Sequence, residues 1–208
     1  MTDMKRTWEK IKELGWREKA GIAVLTATPF LMYILFEWTT GNLLSVRGVY
    51  LFLNLALFVL IYFTAFALTN SMRVAYLPLN LVFFVWSAAE YFVVEFRGRP
   101  IMLWDIMAVR TAATVAGNYQ YVPSFAMVAS GLILIAWGVL IWKFPVKIHS
   151  RKRHLAAAAA MVSITAVGTA AFFSDSISRF QIEIGMWDPA GSYAEYGYMI
   201  STLRMAGY

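Results

Sequence analysis

Cysteine is missing from all 208 residues, and charge is scarce: Asp, Glu, Lys and Arg together make up 14% of the chain. The first absence excludes disulfides, thiol catalysis and cysteine-based metal sites. The second excludes an ordinary soluble domain, whose surface needs far more charge to stay in solution. Histidine occurs only at His149 and His154, in a basic stretch without carboxylates, so both read as solvated loop residues and no zinc-type spacing forms. No P-loop, dinucleotide glycine pattern or Gly-x-Ser-x-Gly elbow occurs either. The residues therefore nominate no catalytic group, no metal ligand set and no cofactor.

Hydrophobic residues are plentiful at 60%, aromatics reach 16%, and mean hydropathy is +0.60. Such a chain is solvated largely by lipid, which predicts an all-α, polytopic integral membrane protein. Five runs are long enough to span: residues 20–40, 49–68, 74–96, 121–142 and 155–173. They predict a five-helix transmembrane domain over 20–176. A basic, Trp-containing amphipathic segment (1–19) precedes it on the cytoplasmic side, and an extracytoplasmic juxtamembrane segment (177–208) follows. The fifth run is rich in Ala and other small residues, which predicts a helix buried among its neighbours. Between the third and fourth runs, Trp104-Asp105 offers a cap and Gly117-Asn118 a stop, so residues 105–117 read as an interfacial amphipathic helix.

Twelve of the eighteen Lys and Arg fall on one side of a five-span layout: six before the first span, Arg73, and five between the fourth and fifth spans. Positive charge is retained in the cytoplasm, so the expected orientation is N-in, C-out. The same clustering beside apolar spans accounts for the net charge of +6 without nucleic acid.

Two polar features stand out. Glu37, Glu90 and Glu95 lie in or beside spans. Glu37 and Glu95 are close enough to the ends to reach water, whereas Glu90 must face the bundle or a wet cleft, so Glu90 with Glu95 forms a possible intramembrane polar site. The second feature is Arg97, Arg99, Trp104, Asp105 and Arg110, gathered at one membrane surface. Guanidinium groups suit bidentate phosphate binding and an indole can stack on a headgroup, so these five are candidate lipid-headgroup residues. Interfacial anchoring, with Glu95 and Arg99 as an i,i+4 pair, is the competing reading.

The run Glu95 to Tyr121 (EFRGRPIMLWDIMAVRTAATVAGNYQY) resembles the segment linking the third and fourth helices of the lipoteichoic acid synthase-like family. These are membrane-anchored bacterial phosphoglycerol transferases of the sulfatase superfamily. The matching pieces are Phe96-Arg97-Gly98-Arg99-Pro100, Trp104-Asp105, Arg110-Thr111-Ala112 and Val115-Ala116-Gly117-Asn118-Tyr119. Trp187 and Tyr196-Gly197-Tyr198-Met199-Ile200-Ser201 are similar to that family's stretch leading out of the fifth helix. The resemblance implies a multi-pass protein of the bacterial plasma membrane that presents an anionic glycerophospholipid or polymer intermediate at the outer leaflet. It also implies a partner, a sulfatase-like catalytic domain supplying nucleophile and metal, which these 208 residues lack. The chain alone is thus expected to perform no phosphoglycerol transfer. An accessory scaffold of envelope assembly and a small lipid transporter built on Glu90 are the alternatives.

Overall fold

The computed structural model describes residues 15–108, 110, 114, 117, 120–174, 182–185 and 187–206. Seven α-helices are described: α1 (Trp16–Thr39), α2 (Gly48–Thr69), α3 (Met72–Arg97), α4 (Phe125–Lys143), α5 (Arg151–Phe173), α6 (Pro189–Tyr196) and α7 (Tyr198–Met205). A short 3-10 turn, Leu103–Ala108, lies between α3 and α4, and no strand occurs among the described residues. The first five helices are long and apolar enough to cross a membrane. They run from 19 to 26 residues, or roughly 29–39 Å at ~1.5 Å per residue.

Helix ends are set by local chemistry. Asn70 takes a left-handed φ of 50° to stop α2. Its side-chain amide then accepts from Ile148 N at 2.7 Å and donates to Ile148 O at 2.9 Å, clamping the α4–α5 connection. Ser124 caps α4 by accepting from Met127 N at 3.1 Å. Pro123 and this cap start α4 at Phe125, later than the hydropathy run suggests. At the other extreme, α1 extends back to Trp16, with Gly15 N donating to Glu18 at 3.2 Å. Residues 16–19 are thus the first turn of α1; the rest of the expected amphipathic segment lies outside the described residues.

The buried face of α3 recurs every three to four residues: Met72, Tyr76, Asn80, Phe83, Ser87, Glu90. On α2 the matching stripe is Asn54, Phe58, Tyr62, Phe66. These stripes close on α1, which packs against α2, α3 and α4. Phe36, Phe58, Phe83 and Trp86 interlock at the centre, with Phe58–Phe83 at 4.7 Å and Phe36–Trp86 at 5.7 Å between centroids.

Two expectations are corrected. The Ala-rich α5 has no buried residue; it packs on α2, with Thr64 and Thr165 hydroxyls 2.8 Å apart. Small side chains allow that close approach but cover little, so the rest of α5 stays open. His154 is no loop residue: it sits in the first turn of α5 with Nε2 2.7 Å from Ala67 O, which fixes that nitrogen as the donor.

The described part of the segment expected as a juxtamembrane tail is folded into the bundle. Tyr193, Tyr198, Met199, Ile200 and Met205 are buried, so α6 and α7 plug the end where α1 and α3 finish.

Candidate functional site

The site is built on the last turns of α3. Arg97 ends the helix, Gly98 turns the chain at φ 67°, and the following loop folds back over the helix end. Glu90 holds that loop: its Oε2 accepts from Ile101 N at 2.9 Å, while its Oε1 accepts from Trp86 Nε1 at 3.0 Å. Met102 is thereby buried, with its sulfur 4.0 Å from the Tyr193 hydroxyl of α6. Burial pushes the Tyr193 hydroxyl up to about 12, so it stays a donor at neutral pH.

Beyond Met102 the 3-10 turn presents Asp105. Its Oδ2 accepts from Met102 N at 3.0 Å. Arg97 Nη2 lies 3.1 Å from Oδ1, and Arg99 Nη2 lies 3.4 Å from the same oxygen. Arg99 Nη1 reaches Oδ2 at 3.5 Å. Burial would raise the Asp105 carboxyl, but the Met102 amide and the two guanidinium groups outweigh it and hold it below the usual carboxylate range. The Arg97 and Arg99 side chains are 40% and 34% exposed, against 13% for Asp105.

Of the residues nominated from sequence, Arg97, Arg99 and Asp105 therefore converge, with Trp104 half-exposed beside them. Arg110 is exposed and makes no ion pair with a described residue. Of the expected interfacial helix, residues 109, 111–113, 115 and 116 lie outside the described residues.

The pairing of Glu90 with Glu95 does not form. Five residues place them about 140° apart around α3; Glu90 is buried, whereas Glu95 is exposed. The Glu95–Arg99 ion pair is absent among the described residues, because Arg99 turns to Asp105.

Glu37 corrects the sequence reading most sharply. It is fully buried and reaches no water. Its Oε2 accepts from Asn42 Nδ2 at 3.0 Å, and its Oε1 accepts from Tyr198 N, the first amide of α7, at 3.3 Å. Asn42 Nδ2 also donates to Tyr193 O at 3.0 Å. Asn54 completes the dock: its Oδ1 accepts from Ile200 N at 3.1 Å and its Nδ2 donates to Tyr196 O at 2.6 Å. The open amides of α7 are thus capped by side chains from α1 and α2. Asn54 could have been found as the first polar position of the α2 stripe.

Both buried carboxylates accept an N–H on each oxygen, and no third Asp, Glu or His joins them as a metal site among the described residues. Their chemistry here is to hold chain segments in place. No protein-family model, curated protein or solved structure matches the chain.

Proposed function

We propose that this chain is a membrane module that binds an anionic glycerophospholipid headgroup at the outer leaflet of a bacterial plasma membrane. The carrying observation is the Arg97–Asp105–Arg99 cluster at the end of a membrane-length helix, with both guanidinium groups partly exposed beside Trp104. Arg110, five residues beyond Asp105, is also exposed. The resemblance to lipoteichoic acid synthase-like proteins supplies the rest of the reading: the headgroup is held for phosphoglycerol transfer by a sulfatase-like catalytic domain outside these residues. A transport role gains no support at Glu90, since the aromatic block of Phe36, Phe58 and Phe83 is packed beneath it.

The orientation follows from charge. The end carrying α6, α7 and the arginine cluster faces outward, while the Lys- and Arg-rich α4–α5 connection faces the cytoplasm. Accessibility tags at the N-terminus and Ser150 should report as cytoplasmic, and tags near Gly41 and Tyr208 as extracytoplasmic. A cytoplasmic signal at Tyr208 would break the five-span layout.

Headgroup binding is tested with Arg97→Ala/Arg99→Ala in the full chain. Losing charge-assisted hydrogen bonds of about 1.5–3 kcal/mol should weaken phosphatidylglycerol binding roughly 10- to 150-fold. Native mass spectrometry reads this as fewer retained lipids. Equal retention by wild type and variant would reduce the cluster to an interfacial anchor.

A further inference from the structure

The two arginines of the headgroup site are already occupied by a group of the chain itself. Asp105 Oδ1 is shared by Arg97 at 3.1 Å and Arg99 at 3.4 Å, and Arg99 also reaches Oδ2 at 3.5 Å. A carboxylate offers two oxygens sharing one negative charge. A phosphodiester offers the same pattern on a larger frame, and guanidinium forks accept either.

The fit to Asp105 is slack. Charge-assisted N–H···O contacts close to roughly 2.7–2.9 Å when the geometry is good, and all three contacts here are longer. Donors are also left over. Each guanidinium carries about five N–H groups, of which Asp105 takes one from Arg97 and two from Arg99. Both arginine side chains remain partly exposed, at 40% and 34%.

The competitor is also lightly held. Apart from the arginines, its carboxylate accepts only the Met102 amide among the described residues, and it rides on a six-residue 3-10 turn. That turn shows Trp104 at 44% exposure and Met107 at 90% to its surroundings. These two side chains therefore lose little packing if the turn moves.

We propose that Asp105 is a built-in competitor at the Arg97–Arg99 pair, displaced when a phosphate-bearing anion binds. The proposal rests on the headgroup reading above and gives that site its regulation. It also gives the site its selectivity: the ligand must replace the one negative charge that leaves, so a phosphodiester with no cation of its own is favoured over a zwitterionic headgroup. Displacement has a structural consequence. The Met102 amide loses its acceptor, and Met102 is the residue buried against Tyr193 of α6. Occupancy of the arginines is thereby communicated to the α6–α7 plug.

The test uses the full chain in detergent or nanodiscs, titrated separately with phosphatidylglycerol, phosphatidylcholine and soluble sn-glycerol 3-phosphate. Asp105→Asn and Asp105→Ser remove the carboxylate yet keep an oxygen that can accept from Met102, so the turn cap survives in both. Either variant should bind phosphatidylglycerol roughly tenfold more tightly than wild type, the equivalent of one charge-assisted contact no longer opposed. Phosphatidylcholine binding should stay unchanged. Competition by sn-glycerol 3-phosphate would identify the recognised group as the phosphate itself, and its failure would restrict the ligand to membrane lipid.

If both Asp105 variants bind phosphatidylglycerol no better than wild type while Arg97→Ala/Arg99→Ala loses it, Asp105 is a positioning residue and the competitor idea is wrong. The lipid site would then stand. If wild type and Asp105 variants bind no more lipid than the double-arginine variant, the headgroup reading fails and the competitor fails with it. Hydrogen exchange over 101–108 gives an independent readout: phosphatidylglycerol should raise exchange at the Met102 amide in wild type.

Discussion

Gly197→Ala should unseat α6 and α7 and cost about 3–5 kcal/mol, among the larger losses a single methyl group can cause. Gly197 joins the two helices at φ 84°, ψ 155°. That region is open essentially to glycine, and forcing another residue into it costs roughly 1–3 kcal/mol. The new Cβ would also collide with the Asn54 side chain, whose Cγ would lie 2.8 Å away. Asn54 cannot step aside cheaply. It is fully buried and donates to Tyr50 O at 2.7 Å and Tyr196 O at 2.6 Å while accepting from Ile200 N. Moving it releases two helix ends, each leaving a buried polar group worth about 1–3 kcal/mol. Hydrogen exchange across 189–205 should rise to near-complete deuteration at short times, with α1–α4 still protected. Protection equal to wild type would show that the plug does not depend on this junction.

Glu90→Ala should be nearly as damaging and should act on a different segment. The substitution strips the acceptor from Ile101 N and Trp86 Nε1 together. Two partly buried donors without partners cost up to about 1–3 kcal/mol each, and the emptied volume adds to that. Removing a buried carboxyl group recovers part of its desolvation cost, since no cation faces it among the described ion pairs. Glu90→Gln separates the two effects. It keeps the shape and one acceptor but points an amide at the other donor, so it should fall between wild type and alanine. Thermal melting in detergent orders the three proteins, and exchange at 98–105 should rise along the same series. Lipid binding should fall in parallel, although no arginine has been touched. A glutamine variant as damaged as alanine would mean that the charge, rather than the hydrogen-bond geometry, is what holds the loop.

The five membrane-length helices were legible because each is a long apolar run, and lipid leaves the backbone no other way to satisfy itself. The Arg97–Asp105 cluster was legible for a related reason: its members lie within nine residues, so one tight turn brings them together. The inward placement of Glu90 was legible as well, because an ionisable group seven residues before the α3 end at Arg97 is driven off the lipid face. What failed was anything whose partner is distant in sequence. Glu37 looked close enough to water to stay solvated, but its two oxygens are taken by Asn42 and, across 161 residues, by the amide of Tyr198. The α6–α7 plug is short and mixed in polarity, so no periodicity announces it. Its burial is imposed by Glu37 of α1, Asn42 of the α1–α2 loop and Asn54 of α2, all far upstream. The openness of α5 was missed because small residues permit close packing without requiring it.

The span between Glu37 and Tyr198 sets a clock on biosynthesis. The two are 161 residues apart. At about 5–20 residues per second, a ribosome needs roughly 8–32 s to make the distance between them. Throughout that interval α1 is already made while the amide that will cap its carboxylate does not yet exist. Glu90 waits far less, since Ile101 follows eleven residues later, about 0.5–2 s at the same pace. The nascent protein therefore closes in two stages. The arginine loop is fixed almost as soon as it is made, and the end of the bundle is sealed only after α1–α5 have all been synthesised.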